Sequence, residues 1–442
     1  MTPEGTAARV LDLVPSGFDC EVVVTSGSNA LTRFANSFIH QNMADDTTSV
    51  SITLIWNGRV STSSGTASPA TLADFVERAA EATRVAPINP EWPGLAPQTD
   101  IPPTLPAPES TASASPSDRA ELVSEFVRAG EGMRAAGYCS TSSTTVVYAN
   151  SEGHLASGEA ASAVLDGIQQ TPTSAGSGHA ASRDLEAIDA LAVGSVAVDR
   201  AGRSESSIQI EPAEYEVVLA PEAVATLALF LGVYGFNGKA TNDGQSFLRV
   251  GDRQFDDAFE LIDDGLDERS MKLRFDPEGT PKRRLLLIEG GVTRNVAYDR
   301  REAAKAGTES TGHSIKLFGQ NIGPIPTDLF VTPGDSTPED LIGGVQRGLY
   351  VSTFNYVRIL DPRTTVATGL TRNGTFLIEG GELTDAVSDL RFTQSFAGAV
   401  APGRVLGVGS DARFADSEFG PTIAHVPSLR LAGWRFTGGA AG

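Results

Sequence analysis

The chain has 442 residues, 40% of them hydrophobic, enough for two or three domains with sizeable cores. Its formal charge of −21 disfavours nucleic acid and anionic membranes as partners, because both select clustered Lys and Arg. No run approaches the ~18 apolar residues of a spanning helix, the first residues carry no cationic-then-apolar leader, and two cysteines, Cys20 and Cys139, are too few for a disulfide framework. Free thiols and a cytoplasmic location are expected.

With 46 Gly, 25 Pro and 7% aromatics, the composition favours strands joined by turns. Cys20 to Thr25, Leu31 to Phe34, Ser49 to Trp56 and Val60 to Ser63 are alternating or β-branched, with breaks at Ser26-Gly27-Ser28-Asn29 and a hairpin signal at Asn57-Gly58. They predict a four-stranded meander. Ser68-Pro69 opens an amphipathic helix whose Leu72, Phe75, Val76 and Ala79 can cover that sheet. From Pro87 to Pro116, nine prolines remove backbone donors and block helix propagation, so the segment reads as an extended, solvated linker open to proteases. A helix is expected at Asp118 to Ala135, a strand at Tyr138 to Asn150, a turn at Asn150-Ser151-Glu152-Gly153 and a short helix at Ser182 to Val193.

Beyond these, Tyr215 to Leu219 reads as a strand, and Pro221 starts a helix, Glu222 to Leu231, so apolar that it should be buried. Asp252 to Glu268 holds eight carboxylates without EF-hand spacing and reads as a solvated loop, and Lys282-Arg283-Arg284 as a solvated strand edge. Further strands are expected at Arg284 to Ile288, Leu329 to Thr332, Leu349 to Ile359, Thr365 to Gly369 and Thr375 to Glu379, the last two joined by an Asn373-Gly374 hairpin. An antiparallel sheet or barrel-like sandwich follows. The fold class is α+β: a small N-terminal strand and helix domain (residues 1–86), a Pro-rich linker (87–117), a central α/β segment (118–206) and a larger antiparallel, β-rich C-terminal domain (212–442).

Histidines 40, 154, 179, 313 and 425 are scattered singly, so a metal site would need three to converge from distant segments. His313, within Ser310-Thr311-Gly312-His313-Ser314, could in principle serve a hydroxyl nucleophile as base, against the plainer reading of a hydrogen-bonded loop histidine. No G-x-S-x-G or S-x-x-K motif occurs. Gly407-Val408-Gly409-Ser410-Asp411-Ala412 lacks the βαβ context of a dinucleotide fingerprint and reads as a turn.

Several ordered segments resemble the TldD/PmbA metallopeptidase family. They are Arg33-Phe34-Ala35-Asn36, Val147 to Gly153, Tyr215 to Pro221, Phe275 to Pro281, Ser310-Thr311-Gly312-His313, Arg347 to Val351, Ile378 to Leu383 and Pro427 to Arg430. The resemblance implies paired intracellular peptidases: a TldD subunit binds zinc through a His-Glu-x-x-x-His helix and a later Cys, and a TldE subunit helps enclose the peptide. Zinc hydrolysis needs imidazoles one helical turn apart and a third ligand. Here the corresponding stretch reads Pro221 to Phe230, no His lies between His179 and His313, and no Cys follows Cys139.

The chain is therefore similar to the zinc-less, TldE (PmbA)-type member. That implies a non-catalytic subunit with no metal or catalytic residues of its own, zinc in a TldD-type partner, and an unfolded peptide substrate held as an added strand. Candidate chamber-lining residues are Asn150, Ser151, Ser310, Thr311, His313, Thr368 and Gly369. The alternatives are an independent hydrolase using His313 and a homodimeric peptide-binding module.

Overall fold

A computed structural model of the chain describes residues 1–66, 68–317, 320–321, 323–418 and 420–439, leaving aside the side chains of 316, 317, 320 and 321. In chain order the first half comprises α1 (Pro3–Leu13), β1 (Asp19–Ala35), β2 (Phe38–Trp56), β3 (Arg59–Thr66), α2 (Leu72–Val85), α3 (Glu109–Ala112), α4 (Pro116–Ala129), β4 (Arg134–Asn150), β5 (Leu155–Gln170), β6 (Ala175–Ser182) and α5 (Ala190–Arg203). The second comprises β7 (Ser207–Ile208), β8 (Glu214–Leu219), α6 (Pro221–Tyr234), α7 (Gly238–Asn242), β9 (Leu261–Asp264), β10 (Arg284–Glu289), β11 (Val292–Thr293), α8 (Arg300–Ala306), β12 (Lys316–Leu317), β13 (Gln320–Asn321), β14 (Leu329–Val331), α9 (Pro338–Gly343), β15 (Arg347–Asp361), β16 (Val366–Glu379), β17 (Glu382–Val387), β18 (Leu390–Ser395), α10 (Phe396–Ala399), β19 (Val405–Val408), β20 (Arg413–Ala415), β21 (Ala424–Val426) and β22 (Leu429–Gly439). The fold is α+β and dominated by strand, as expected.

β1 to β6 form one antiparallel sheet in the order β3-β2-β1-β4-β5-β6. Its register follows from side-chain parity. Cys20, Val22 and Val24 stand opposite Leu54, Ile52 and Val50, with Ala149 and Val147 on the other flank, so one face becomes a continuous aliphatic layer under α1 and α2. Toward the other end that layer passes to Phe34, Cys139 and Leu165, covered by Phe126 of α4 and Ala190 and Ala197 of α5. Because β1 pairs with β4 along nearly its whole length, residues 1–86 and 118–206 share a sheet rather than forming the two units expected from the sequence.

Three local expectations change for the same reason: neighbouring strands supply hydrogen bonds that short-range signals ignore. Ser26-Gly27-Ser28-Asn29 lies inside β1, where a Cβ on Gly27 would meet the Ser143 carbonyl at 2.3 Å, so three strands replace four. Asn373-Gly374 is a bulge within β16, at φ 53° and 132°, rather than a hairpin. The helix expected at Ser182 to Val193 starts only at Ala190, where Asp189 caps the Ala192 N–H. At Asn57-Gly58 the hairpin is present, with φ 48° and 74°.

The Pro-rich segment is not a free linker. Arg300 donates to the carbonyls of Gly94 and Leu95, Asn150 to Ala96 and Arg183 to Leu105 and Pro106, while Ala96 and Thr111 are buried. It is a strap fastened to both halves of the molecule.

In the second half, β15, β8, β22, β18 and β16 close on themselves, since β16 pairs with both β18 and β15. Phe354, Phe392 and Phe396 pack around Trp434, with ring centroids 4.9, 5.4 and 5.5 Å from it. A second sheet runs β11-β10-β9-β14-β21-β20. Between them lies α6, with twelve of its residues buried, as its all-round apolar sequence requires. No helix among the described residues is long and apolar enough to cross a membrane.

Candidate functional site

Strand alternation in β9 turns Leu261 and Asp263 inward. Asp263 then meets His313: its Oδ1 lies 2.8 Å from Nε2, and its Oδ2 accepts from the Asp328 N–H at 2.8 Å. The other ring nitrogen of His313 is 2.8 Å from Thr311 Oγ1, which also accepts from the Tyr298 N–H at 2.7 Å. Lys282 pairs with Asp328, Ser270 donates to the same carboxylate, and Lys272 donates to the Thr327 carbonyl. Asp276 closes the cluster, accepting from the N–H groups of Glu278, Thr280 and Ser314.

Burial opposes ionisation of Asp263, but His313, Lys282 and the Asp328 N–H together outweigh it and hold the carboxylate well below its usual range. The same competition keeps Lys282 above its ordinary value, with Asp328 and Asp263 overcoming desolvation. Desolvation prevails at Lys272, which falls to about 8, and at Asp276, which rises to about 6 despite its three N–H donors.

Beside this cluster is a cavity of about 390 Å³, walled by Thr144, Val146 and Ala160 of the first sheet and floored by Leu273, Phe275 and Ile325. His313 forms part of its boundary, yet its side chain is 0% exposed and both nitrogens are engaged. It is a structural member of an ionic scaffold, without the access to a bound molecule that a general base needs. Lys272, Asp276 and Lys282 all line the cavity, and of the two lysines Lys272 is the one whose basicity burial lowers.

The sequence-derived candidates fall into two places. Asn150, Ser151, Ser310, Thr311 and His313 are drawn toward one region because the 276–282 segment connects them: His154, in the Asn150 turn, contacts the Gly279 carbonyl at 2.8 Å, and Asp276 reaches Ser314. Each has a folding role. Asn150 bridges Ala96, Glu152 and His154; Ser151 Oγ accepts from the Cys20 N–H; Ser310 Oγ donates to the Tyr298 carbonyl. Thr368 and Gly369 lie apart, in β16, where Thr368 donates to the Phe392 carbonyl and a Cβ on Gly369 would meet the Phe392 ring at 2.7 Å.

The residues missed by sequence reasoning are Asp263, Asp328, Lys272 and Lys282. Asp263 stands within the acidic run read as solvated, and Lys282 within the basic triplet read as a strand edge; their burial is tolerated because each meets an opposite or hydrogen-bonding partner from a distant segment, His313 and Asp328. Inward alternation in Leu261-Ile262-Asp263 was the one available signal.

α6 occupies the stretch where the resemblance would place zinc ligands. Its carboxylate, Glu222, is 4% exposed and is held by Arg413 at 3.0 Å and Arg200 at 3.5 Å. Burial alone would neutralise Glu222, but Arg413 and Arg200 lower it to about 2. The rest of the buried helix carries no imidazole, thiol or second carboxylate. The residues present do not fit a zinc ion, and among the described residues no group of three or more His, Cys, Asp or Glu is placed to hold a metal. The Cys139 thiol, buried in β4, is pushed up to about 12.

Comparison with known proteins agrees with this architecture. The crystal structure of TldE from Thermococcus kodakarensis superposes with a TM-score of 0.87 at 20% identity, covering 98% of this chain and 99% of that one. A metalloprotease TldD homolog of Buchnera aphidicola subsp. Acyrthosiphon pisum is 28% identical over 127 residues, 28% of this chain and 26% of the relative. A Methanothermobacter thermautotrophicus metalloprotease is 24% identical over 186 residues, 42% of this chain and 40% of the relative, so the chain spans less than half of these curated proteins. Residues 212–438, from the start of β8 through the barrel to β22, match the sequence profile of the PmbA/TldA metallopeptidase C-terminal domain. The chain belongs to the TldD/PmbA metallopeptidase family.

Proposed function

We propose that this chain is a zinc-less, TldE-type subunit that pairs with a zinc-bearing TldD-type relative in the cytoplasm, encloses unfolded peptide and leaves bond cleavage to its partner. The observation that carries this reading is α6. Where a catalytic member needs ligands, this helix presents one carboxylate locked between two arginines and no imidazole or thiol. Hydrolysing an amide near neutral pH needs an activated water or nucleophile and oxyanion stabilisation. His313, the candidate for an independent hydrolase, is walled in by Asp263 and Thr311.

Strand addition has support in β2. Within β2, β3 covers Ser49 to Trp56, and no described strand pairs with that side of β2 from Phe38 to Thr48. Such an edge can accept an extended backbone with little regard to side chain.

A peptide-cleavage assay tests the proposal, using this chain alone, a His-Glu-x-x-x-His relative alone and the two mixed, each with and without chelator. The expected result is no turnover by this chain and chelator-sensitive turnover by the mixture. Chelator-resistant cleavage by this chain alone, lost in His313→Ala, would refute it.

A further inference from the structure

A separate cavity of about 490 Å³ lies where the first sheet meets the barrel, far in sequence from the His313 cluster. Arg134, at the start of β4, and Arg372, in β16, both line it. This pairing depends on the bulge in β16. Residues three apart in a regular strand point to opposite faces, but the register shift opposite Val351 and Thr353 and the left-handed turn at Asn373-Gly374 bring Arg372 and Thr375 to the same cavity. A side chain at position 374 would lie 2.9 Å from Ser352 Oγ, so Gly374 preserves the bulge.

Two features distinguish this cavity from an ordinary interdomain gap. In a chain with 55 acidic and 34 basic residues, neither arginine forms an ion pair with a described carboxylate, although Arg372 exerts its charge on Asp389 across the cavity lining. Thr375 is 2% exposed and its hydroxyl has no hydrogen-bond partner among the described residues. Buried hydroxyls are nearly always satisfied, and an orphan on a residue that lines the same cavity as two unpaired arginines matches a bound oxygen acceptor.

We propose that this cavity binds a small oxyanion, with Arg134 and Arg372 holding its charge and Thr375 donating to one oxygen. The ligand is the phosphate or carboxylate of a small molecule, and Asp389 limits its affinity by like-charge repulsion. The proposal is independent of peptide cleavage and of any partner chain.

Calorimetric titration of the full chain with inorganic phosphate and with acetate, each against chloride at matched ionic strength, provides the test. Saturable binding of at least one oxyanion is expected; tighter phosphate binding identifies a phosphate ligand and tighter acetate binding a carboxylate. Arg134→Gln with Arg372→Gln should weaken binding at least about tenfold, and Thr375→Val should weaken it several-fold. Asp389→Asn should strengthen it, because a repelling charge is removed. Both arginines are exposed at the surface, so the double variant should retain the fold, as checked by its melting temperature. No saturable binding beyond chloride, undiminished binding in the folded double variant, or loss of binding in Asp389→Asn would overturn the proposal.

Discussion

Glu278 shows how a single carboxyl can oppose the stability of the fold that surrounds it. Loss of solvent, together with the charges of Asp276 and Asp299, raises it from 4.5 to about 7, although its Oε2 accepts from the Arg300 N–H at 3.0 Å. An acid with a raised folded pKa favours folding while protonated; that contribution is complete below the unfolded value and declines as pH rises toward about 7. Glu278→Gln keeps an acceptor for Arg300 and cannot ionise. Urea unfolding should therefore find the variant more stable than wild type by on the order of 1–3 kcal/mol near pH 8, with the difference vanishing near pH 4. Equal differences at both pH values would show that Glu278 is not held protonated. Asp263 has the opposite sign: its depressed pKa gives stability above the usual carboxylate range that is lost as pH falls through the folded value.

Among the elements, the strap from Pro87 to Pro116 departs furthest from its composition. Apart from the single turn of α3, proline keeps the strap out of long helix and strand, but an extended chain can dock when side chains elsewhere satisfy its carbonyls. Arg300, in the first turn of α8, supplies two such bonds and also lies 3.9 Å from Glu21 of β1. Limited proteolysis with mass-spectrometric mapping should find the wild-type strap protected near Gly94 to Ala96. Arg300→Ala should make that stretch the earliest cut, with cleavage at least about tenfold faster, because susceptibility follows local opening. Cleavage at the same rate in both proteins would return the strap to the status of a free linker.

Across the whole molecule, the two halves interlock at Gly279. The residue has φ 74°, and an added Cβ would sit 2.5 Å from the Tyr148 ring, which packs with Ala96, Ala156 and Phe275. Tyr148 in turn donates to Glu21, and His154 contacts the Gly279 carbonyl. Gly279→Ala should cost about 2–4 kcal/mol through overpacking and an unfavourable left-handed backbone. In calorimetry the variant should melt earlier in a single transition, since the damaged contact belongs to both halves. A second transition at the wild-type temperature would show that the halves unfold independently.

Much of the element order was legible because it depends on local chemistry. Pro221 and an unbroken apolar run specify a buried α6, alternation writes β1, β2 and β8, and Asn57-Gly58 makes its hairpin. The ordered family segments likewise identified the lineage, and the ligand-poor sequence of α6 can be read without coordinates. The site was less legible. Only the alternation of Leu261-Ile262-Asp263 sets Asp263 apart from the seven other carboxylates in its run, and nothing local sets Lys282 apart from its basic neighbours, because their burial depends on meeting His313 and Asp328 from distant segments. Pairing of β1 with β4, closure of the barrel through β16 and docking of the strap are also long-range events. Local propensity determined which segments could become strand or helix; tertiary packing decided which charges share a low-dielectric interior, where each must find its counterpart.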